Sequence, residues 1–350
     1  MDRFELMNSL LEKSKFFKLV CGAGNEDCEE VKKLTIIYTL AGTSGLDISA
    51  TPSVVLACME GIEQSHFYAK KLDIKIPFNP FITVSVGMPG DHHVRKAFID
   101  LEKCVTCNLC IPVCPTDAIP NDLVIKQEKC IGCGNCSAIC HFDSIFYKHN
   151  NKNLEELLPK CLSLGAEQIE LHAGIKEDDF IFKEWELINK INAKNHVSMC
   201  LDRQHLSDFD LEKRIKKAKE ISGDRLIIQA DGIPMSGGED DFNTTLQAVS
   251  IADIVNKRFN KKIDKKTKKS IYKDKNEINI LLSGGTNSLT SKLAKQNDVR
   301  FQGISIGTFA RKIVKEYISN NNFYNDNDLI YKAVLKAKEL LSSCGINNDI

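Results

Sequence analysis

Along this chain, short apolar runs alternate with longer stretches whose apolar positions recur at helical spacing. Eight runs follow one another: FFKLVCGAG (16–24), SGLDISA (44–50), PFITVSVG (80–87), QIELHAG (168–174), HVSMCLDR (196–203), DRLIIQADG (224–232), INILLSGGT (278–286) and FQGISIGT (301–308). Helical segments are predicted after them over 26–41, 53–71, 153–164, 178–193, 209–221, 241–258, 288–296 and 309–319. Start signals agree at three of these: Pro52 carries the φ of a first turn, while Ser207-Asp208 and Asn287-Ser288 offer side-chain acceptors to free N–H groups.

Strict strand–helix alternation implies parallel strands joined by crossovers. Eight units close into an α/β fold, a (β/α)8 TIM-like barrel, and the chain from 17 to 320 without 88–149 has about the ~250 residues usual for one. A doubly wound open sheet also alternates, but its fingerprints are missing. CGAGNEDC (21–28) has Asp27 where a dinucleotide loop needs its third glycine, and SGGTNSLTSK (283–292) lacks Gly-Lys-Ser/Thr. The expected organisation is a first part of the barrel over 1–88, an insert after strand 3 over 89–149, the remainder of the barrel over 150–320, and a C-terminal helix or tail over 321–350.

The insert carries the chemistry. CVTCNLCIPVCP (104–115) places Cys104, Cys107, Cys110 and Cys114 at C-x2-C-x2-C-x3-C with Pro115 next, and CIGCGNCSAICH repeats the spacing with Cys130, Cys133, Cys136 and Cys140. Every cysteine of the second run lies 26 positions after its counterpart, as do Lys129 after Lys103, Asp143 after Asp117 and Ile145 after Ile119, so the insert is an internal duplication. Three thiolates two residues apart wrap one iron–sulfur cube, and in two-cluster ferredoxins the fourth ligates the other. The expected sets are Cys104, Cys107, Cys110 and Cys140 for one [4Fe–4S] cluster, and Cys130, Cys133, Cys136 and Cys114 for a second. Zinc needs only four ligands and leaves the third cysteine of each run unexplained. His141 replaces the proline of the first run, as a turn residue or as a group that tunes a cluster.

Two strand ends invite a ligand. LLSGGTNS and GISIGTFARK end strands 7 and 8, where barrels often bind phosphate. Ser283, Gly284, Gly285, Thr286, Gly307, Thr308 and Arg311 are therefore candidates for FMN or another phosphate-bearing ligand; tight turns in an empty site are the alternative. The pairing resembles flavin- and phosphate-binding barrels such as the dihydroorotate dehydrogenases. Asp47, Ser49, His172, Asp202, Arg203, Gln229 and Asp231 stand at other strand ends. No lysine ends a strand, so Schiff-base chemistry has no candidate. MPGDHHVRK (88–96) reads as a solvated hinge, with proton carriage by His92 and His93 as the alternative. Cys21, Cys58, Cys161 and Cys200 read as core residues.

Bulk properties narrow the class. Of 350 residues, 43% are hydrophobic and 27% charged, and 47 basic residues balance 47 acidic ones. With no net field, nucleic acid is not an expected partner. The first residues lack the apolar core of a secretory signal, and no run approaches the ~18 apolar residues of a membrane span. Fourteen cysteines without such a signal suggest metal ligands in a reducing cytoplasm. The basic tract KRFNKKIDKKTKKSIYKDK (257–275) joins helix 6 to strand 7, opposite the expected active face, and reads as a solvated insert, with docking of an acidic partner as the alternative.

Taken with its context, the cassette resembles that of the light-dependent period proteins of oxygenic photosynthetic bacteria. The resemblance runs from KLVCGAG and YTLAGTSGLDISATP through VGMPGDHHVRKAFIDLEKC and both cysteine runs to ISIGTFARK. It implies an iron–sulfur protein that relays cellular redox state to the circadian clock, with clock input proteins as partners. A ferredoxin or quinone pool is the expected electron donor or acceptor. Redox regulation rather than catalysis is expected, the alternative being an oxidoreductase whose barrel ligand draws electrons from the clusters.

Overall fold

A computed structural model describes residues 2–149, 152–233, 242–263, 270–272, 277–283 and 289–346. Its strands are β1 (Phe16–Val20), β2 (Gly45–Ser49), β3 (Phe81–Gly87), β4 (Arg95–Ile99), β5 (Ile145–His149), β6 (Gln168–His172), β7 (Val197–Leu201), β8 (Leu226–Asp231), β9 (Lys261–Ile263), β10 (Ser270–Tyr272), β11 (Asn279–Ser283) and β12 (Gly303–Ile306). Its helices are α1 (Arg3–Glu12), α2 (Cys28–Ala41), α3 (Pro52–Leu72), α4 (Asn135–Ala138), α5 (Leu154–Ser163), α6 (Asp178–Ile191), α7 (Asp208–Ser222), α8 (Phe242–Val255), α9 (Leu289–Gln296), α10 (Thr308–Lys312), α11 (Lys315–Ile318) and α12 (Asn327–Ser343).

Eight parallel strands close in the order β1-β12-β11-β8-β7-β6-β3-β2. All eight predicted runs are barrel strands, and β4 and β5 form a separate antiparallel pair inserted after β3. Outward positions such as Phe17, Leu19, Ile48, Val84, Ile169, Leu171 and Ile228 are buried beneath the helices and form the main core. Helix starts are set locally: Pro52 opens α3, and the Ser207 hydroxyl accepts the Asp210 N–H at the start of α7. Asn287-Ser288 lies outside the described residues. The helix predicted over 309–319 is split into α10 and α11.

One element escaped the pattern of runs. Helix α1 starts at a capping box in which Asp2 and Glu5 accept each other's backbone N–H groups. Its Met7, Leu10 and Leu11 pack on Phe16, Phe81, Ile227 and Leu281, closing the amino-terminal end of the barrel. The insert leaves from the opposite end. Among the described residues no helix is long and apolar enough to cross a membrane. In the basic tract, Lys257, Arg258 and Lys261 pair with Asp253, Glu212 and Asp298 of the same chain.

Candidate metal centres and barrel mouth

The duplication of the insert extends to its backbone. Thr106 and Gly132 both have positive φ, as do Asn108 and Gly134, and Asp117 and Asp143, each pair 26 residues apart. At Gly132 the requirement is also steric, since a side chain there would strike the carbonyls of His92 and Arg95. The resulting loops curl so that each run's fourth cysteine lies with the other run's first three. Cys114, Cys130, Cys133 and Cys136 line one cavity, and Cys104, Cys107, Cys110 and Cys140 line another.

Both cavities suit an iron–sulfur group. Each is walled by apolar side chains, Ala97, Ile119, Ile125 and Tyr147 in the first and Ile99, Leu123, Ile139 and Phe142 in the second. Backbone N–H groups are aimed at sulfur: Ala97 N lies 3.3 Å from Cys130 Sγ and Ala118 N 3.3 Å from Cys114 Sγ. The Ser144 hydroxyl lies 3.3 Å from half-buried Cys140 Sγ and holds that thiol below its ordinary range. His141 is exposed in the turn that follows. The cysteines differ in access, with Cys107 exposed and Cys130 and Cys136 buried.

The cavity of Cys130 faces the barrel. Lys96 Nζ donates to the carbonyls of Gly24, Gln127 and Cys130, tying the loop after β1 to the insert. Lys129 pairs with Asp27 at 3.4 Å. Gly24 allows this approach, because a Cβ there would sit 3.1 Å from the His93 carbonyl and 3.4 Å from Ile131 Cα. Next to Ile131 a further cavity of about 70 Å³ opens into the barrel mouth, lined among others by Ser283, Gly307, Thr308 and Arg311. Four of the predicted phosphate residues thus share one cavity; Gly284, Gly285 and Thr286 lie outside the described residues. Arg311 is buried, its side chain lies 3.4 Å from the Thr308 hydroxyl, and its Nε has no partner among the described residues.

Below the mouth the barrel interior is polar, which the sequence reading missed. Lys18, in the middle of β1, is buried and lies 2.6 Å from Glu170 Oε2 and 3.1 Å from Asp47 Oδ2. Burial alone would pull its pKa down, but the two carboxylates outweigh that and hold it above the ordinary lysine range. Such a lysine stays charged and is no nucleophile. Ser198 and Gln229 also donate to Glu170, at 2.7 Å each, and Ser305 donates to Gln229. Burial pushes Asp47 up to about 6 in spite of Lys18. Strand alternation could have revealed this: Phe16, Lys18 and Val20 share one face of β1, and Gln168, Glu170 and His172 one face of β6.

The segment after β3 is no solvated hinge. His93 is buried, with Nδ1 2.8 Å from Asp91 Oδ1 and Nε2 3.2 Å from Asp231 Oδ2. Burial disfavours its charge, yet the two carboxylates raise it well above the ordinary histidine range. His92 and His172 pack on its two sides, with ring centres at 3.9 and 4.1 Å. Burial and the neighbouring His93 charge lower His172 to about 4 and His92 to about 3. Cys200, expected in the core, points into the barrel, 3.4 Å from Asp231. Cys21, Cys58 and Cys161 are buried as expected. Asp202 is buried and Arg203 turns outward to pair with Asp208.

Known proteins share both halves of this architecture. Residues 97–119 and 123–146 match the 4Fe-4S binding domain. Residues 161–343, just over half of the chain, match the light dependent period A C-terminal domain. The chain belongs to the light dependent period A family. It is 27% identical over 309 residues to the Synechococcus elongatus protein called "Light dependent period A", which covers 87% of this chain and 79% of that one. Solved structures with a similar course include the YdjI aldolase from Escherichia coli K12, with 9% identity, TM-score 0.48 and coverage of 99% and 98%. A truncated 3-deoxy-D-arabino-heptulosonate 7-phosphate synthase from Thermotoga maritima gives 12%, 0.42, 95% and 88%. Membership of the family and the two cysteine motifs make this an iron–sulfur protein.

Proposed function

We propose that this protein is a redox-responsive regulator that relays cellular redox state, set by light, to the circadian clock. Two [4Fe–4S] clusters would be held by Cys104, Cys107, Cys110 and Cys140, and by Cys130, Cys133, Cys136 and Cys114. Such clusters supply one-electron redox chemistry. The observation that carries the reading is the pair of cavities, each lined by four cysteines drawn from both runs.

The residues around the two cavities divide the work. Near exposed Cys107, Leu101, Val105, Leu109 and Phe142 are 59%, 52%, 45% and 47% exposed, an apolar rim of the kind a transient electron partner covers. A ferredoxin or quinone pool would exchange electrons there. The set around Cys130 instead meets the barrel loop at Gly24, to which Lys96 of the insert donates, and a change of charge there would alter the insert–barrel contact. Clock input proteins would be the partners that read that surface. Fourteen free cysteines fit a cytoplasmic setting.

A second reading keeps a ligand in the barrel. Arg311 Nε, buried and without a partner among the described residues, lies in the cavity that Thr308 and Ser283 also line and suits an anion. A cavity of about 70 Å³ falls well short of the ~300 Å³ at which pockets begin to take drug-sized ligands. It favours a small phosphorylated ligand over FMN, reduced or oxidised next to the Cys130 set.

Anaerobic purification followed by iron, sulfide and flavin counts tests both. About eight irons without flavin, and a reduction-dependent change in hydrogen exchange at the loop 21–27, support the regulator. A stoichiometric phosphorylated small molecule or flavin released on denaturation supports the enzyme. Zinc in place of iron, or exchange that ignores cluster reduction, overturns the first reading.

A further inference from the structure

Five carboxyl groups lie buried in and around the mouth of the barrel: Asp47, Asp91, Glu170, Asp202 and Asp231. The buried cations facing them among the described residues are Lys18, His93 and Arg311. Two carboxyl groups are left without a compensating charge, in a place where an unpaired ion is costly. Asp91 Oδ2, Asp231 Oδ1 and His172 Nδ1 are buried polar atoms without a hydrogen-bond partner among the described residues. Their side chains are 2%, 3% and 5% exposed.

Asp91, His93 and His172 each offer one ligand atom, and these atoms all lie within 4.8 Å of one another. Asp231 Oδ2 lies 3.2 Å from His93 Nε2, at the opposite end of the ring from Asp91, and so orients that imidazole for a ligand on its other nitrogen. Two bonds of ~2.1 Å to one ion span ~4.2 Å, so small side-chain adjustments close the set. Glu170, His172 and Cys200 are also close together, but the oxygens of Glu170 are already taken by Lys18, Ser198 and Gln229.

We propose that Asp91, His93 and His172 bind one divalent first-row transition-metal ion at the barrel mouth, separate from the cysteine cavities, with Asp231 holding the His93 ring in place. Two imidazoles and a carboxylate are a donor set such ions take, the ion displacing one proton of His93, and none of the eight cluster cysteines is needed. The placement gives the ion a task. Asp91 and His93 belong to the segment that leads from β3 into the insert, whereas His172 ends β6 and Asp231 ends β8. An ion held by Asp91, His93 and His172 pins the entry of the insert to the barrel, beside Ile131 and the Cys130 cavity. The proposal does not depend on what the clusters do.

Manganese is the discriminating probe, because Mn2+ favours oxygen and nitrogen donors and leaves vacant thiolates to softer metals. The full-length protein with its clusters oxidised is freed of loosely held metal and titrated with Mn2+, the free ion being followed by its six-line paramagnetic spectrum. The expected result is one equivalent bound, displaced one for one by Zn2+. Binding should weaken at least tenfold in His172→Ala and in Asp231→Asn, with iron content unchanged. In the unmodified protein, Mn2+ should also slow hydrogen exchange over 88–94, a readout that needs no variant. Saturable binding of neither ion, equal affinity in both variants, or exchange over 88–94 that ignores the metal overturns the proposal.

Discussion

Seven buried residues form the apolar interior of the insert, and two of them, Cys130 and Cys136, are themselves candidate cluster ligands. The barrel stands on a continuous core that runs from Phe17 in β1 to Ile346 beyond α12. A domain of some fifty residues with so little apolar burial needs a metal or a covalent staple to stay folded. The comparison teaches that the two regions are stabilised by different means, and that each can be undone alone. Removing iron should give the largest effect. Chelation under oxidising conditions is expected to abolish hydrogen-exchange protection in β4, β5 and the loops between them, while β6, β7 and β8 keep theirs. Equal loss in both regions would mean that the barrel relies on the clusters as well.

A sharper cut separates the two halves of the insert. If Cys114 completes the set of Cys130, Cys133 and Cys136, Cys114→Ser should lower iron from about eight to about four per chain. Protection should then be lost around 129–137, remote in sequence, while 104–110 stays protected. Loosening confined to the neighbourhood of Cys114 would show that each run serves its own cluster.

The same contrast explains what could be read from the sequence. The insert was legible because its chemistry is written in spacing. Each cysteine is fixed relative to the next, and the offset of 26 recurs even in the positive-φ pairs Thr106–Gly132 and Asn108–Gly134. The barrel was legible on its outer side, where Phe17, Ile48 or Ile169 meet helices and apolar runs report burial. Its inner side was not. Lys18 and Glu170 come from strands 152 positions apart and meet only when the barrel closes; alternation along β1 and β6 puts each on the inner face, but nothing in the sequence pairs them. His93 was misjudged for a related reason: DHH in a loop suggests solvent, yet Asp231 from β8 covers it. Helix α1 was missed because it carries no preceding strand and serves as a plug for the open end.

The polar interior should show in stability rather than in iron content. Lys18→Met leaves Asp47 and Glu170 buried without their cation, which typically costs ~3–5 kcal/mol. Denaturant unfolding of the barrel should report a loss of that order, with iron retained. Replacing Lys18 by Met and Glu170 by Gln together should recover part of it, because one of the stranded charges is gone. No loss in the single variant would mean that the carboxyl groups simply take up protons, as the raised Asp47 allows.

The plug offers a milder, pH-dependent test. His196, just before β7, stacks on Phe4 of α1 at 4.7 Å and lies 2.7 Å from Asn8 Oδ1. Burial lowers it to about 4. The unfolded chain, with an ordinary histidine near 6.5, takes up its proton first as pH falls. Stability should therefore be lost as pH drops from 6.5 towards 4, by at most ~3 kcal/mol from this group. Melting temperatures at pH 7 and pH 5 should differ less in His196→Gln than in the unmodified protein. An equal difference in both would place the acid sensitivity elsewhere.

The smallest effect lies where the regions meet. Burial raises the Cys133 thiol, and the charge of Arg311 opposes that rise, so a barrel residue is felt inside the insert. A positive charge near a cluster favours the state with one more electron. Arg311→Gln should therefore lower the reduction potential of the cluster held by the Cys130 set, on the order of 50 mV for one charge acting through partly solvated protein. The other cluster, whose cavity has no barrel residue in its lining, should keep its potential. A potentiometric titration followed by paramagnetic resonance resolves the two. Equal shifts in both clusters would indicate a general loosening of the insert, and no shift in either would show that solvent in the crevice beside Thr308 and Lys312 screens the guanidinium from the sulfurs.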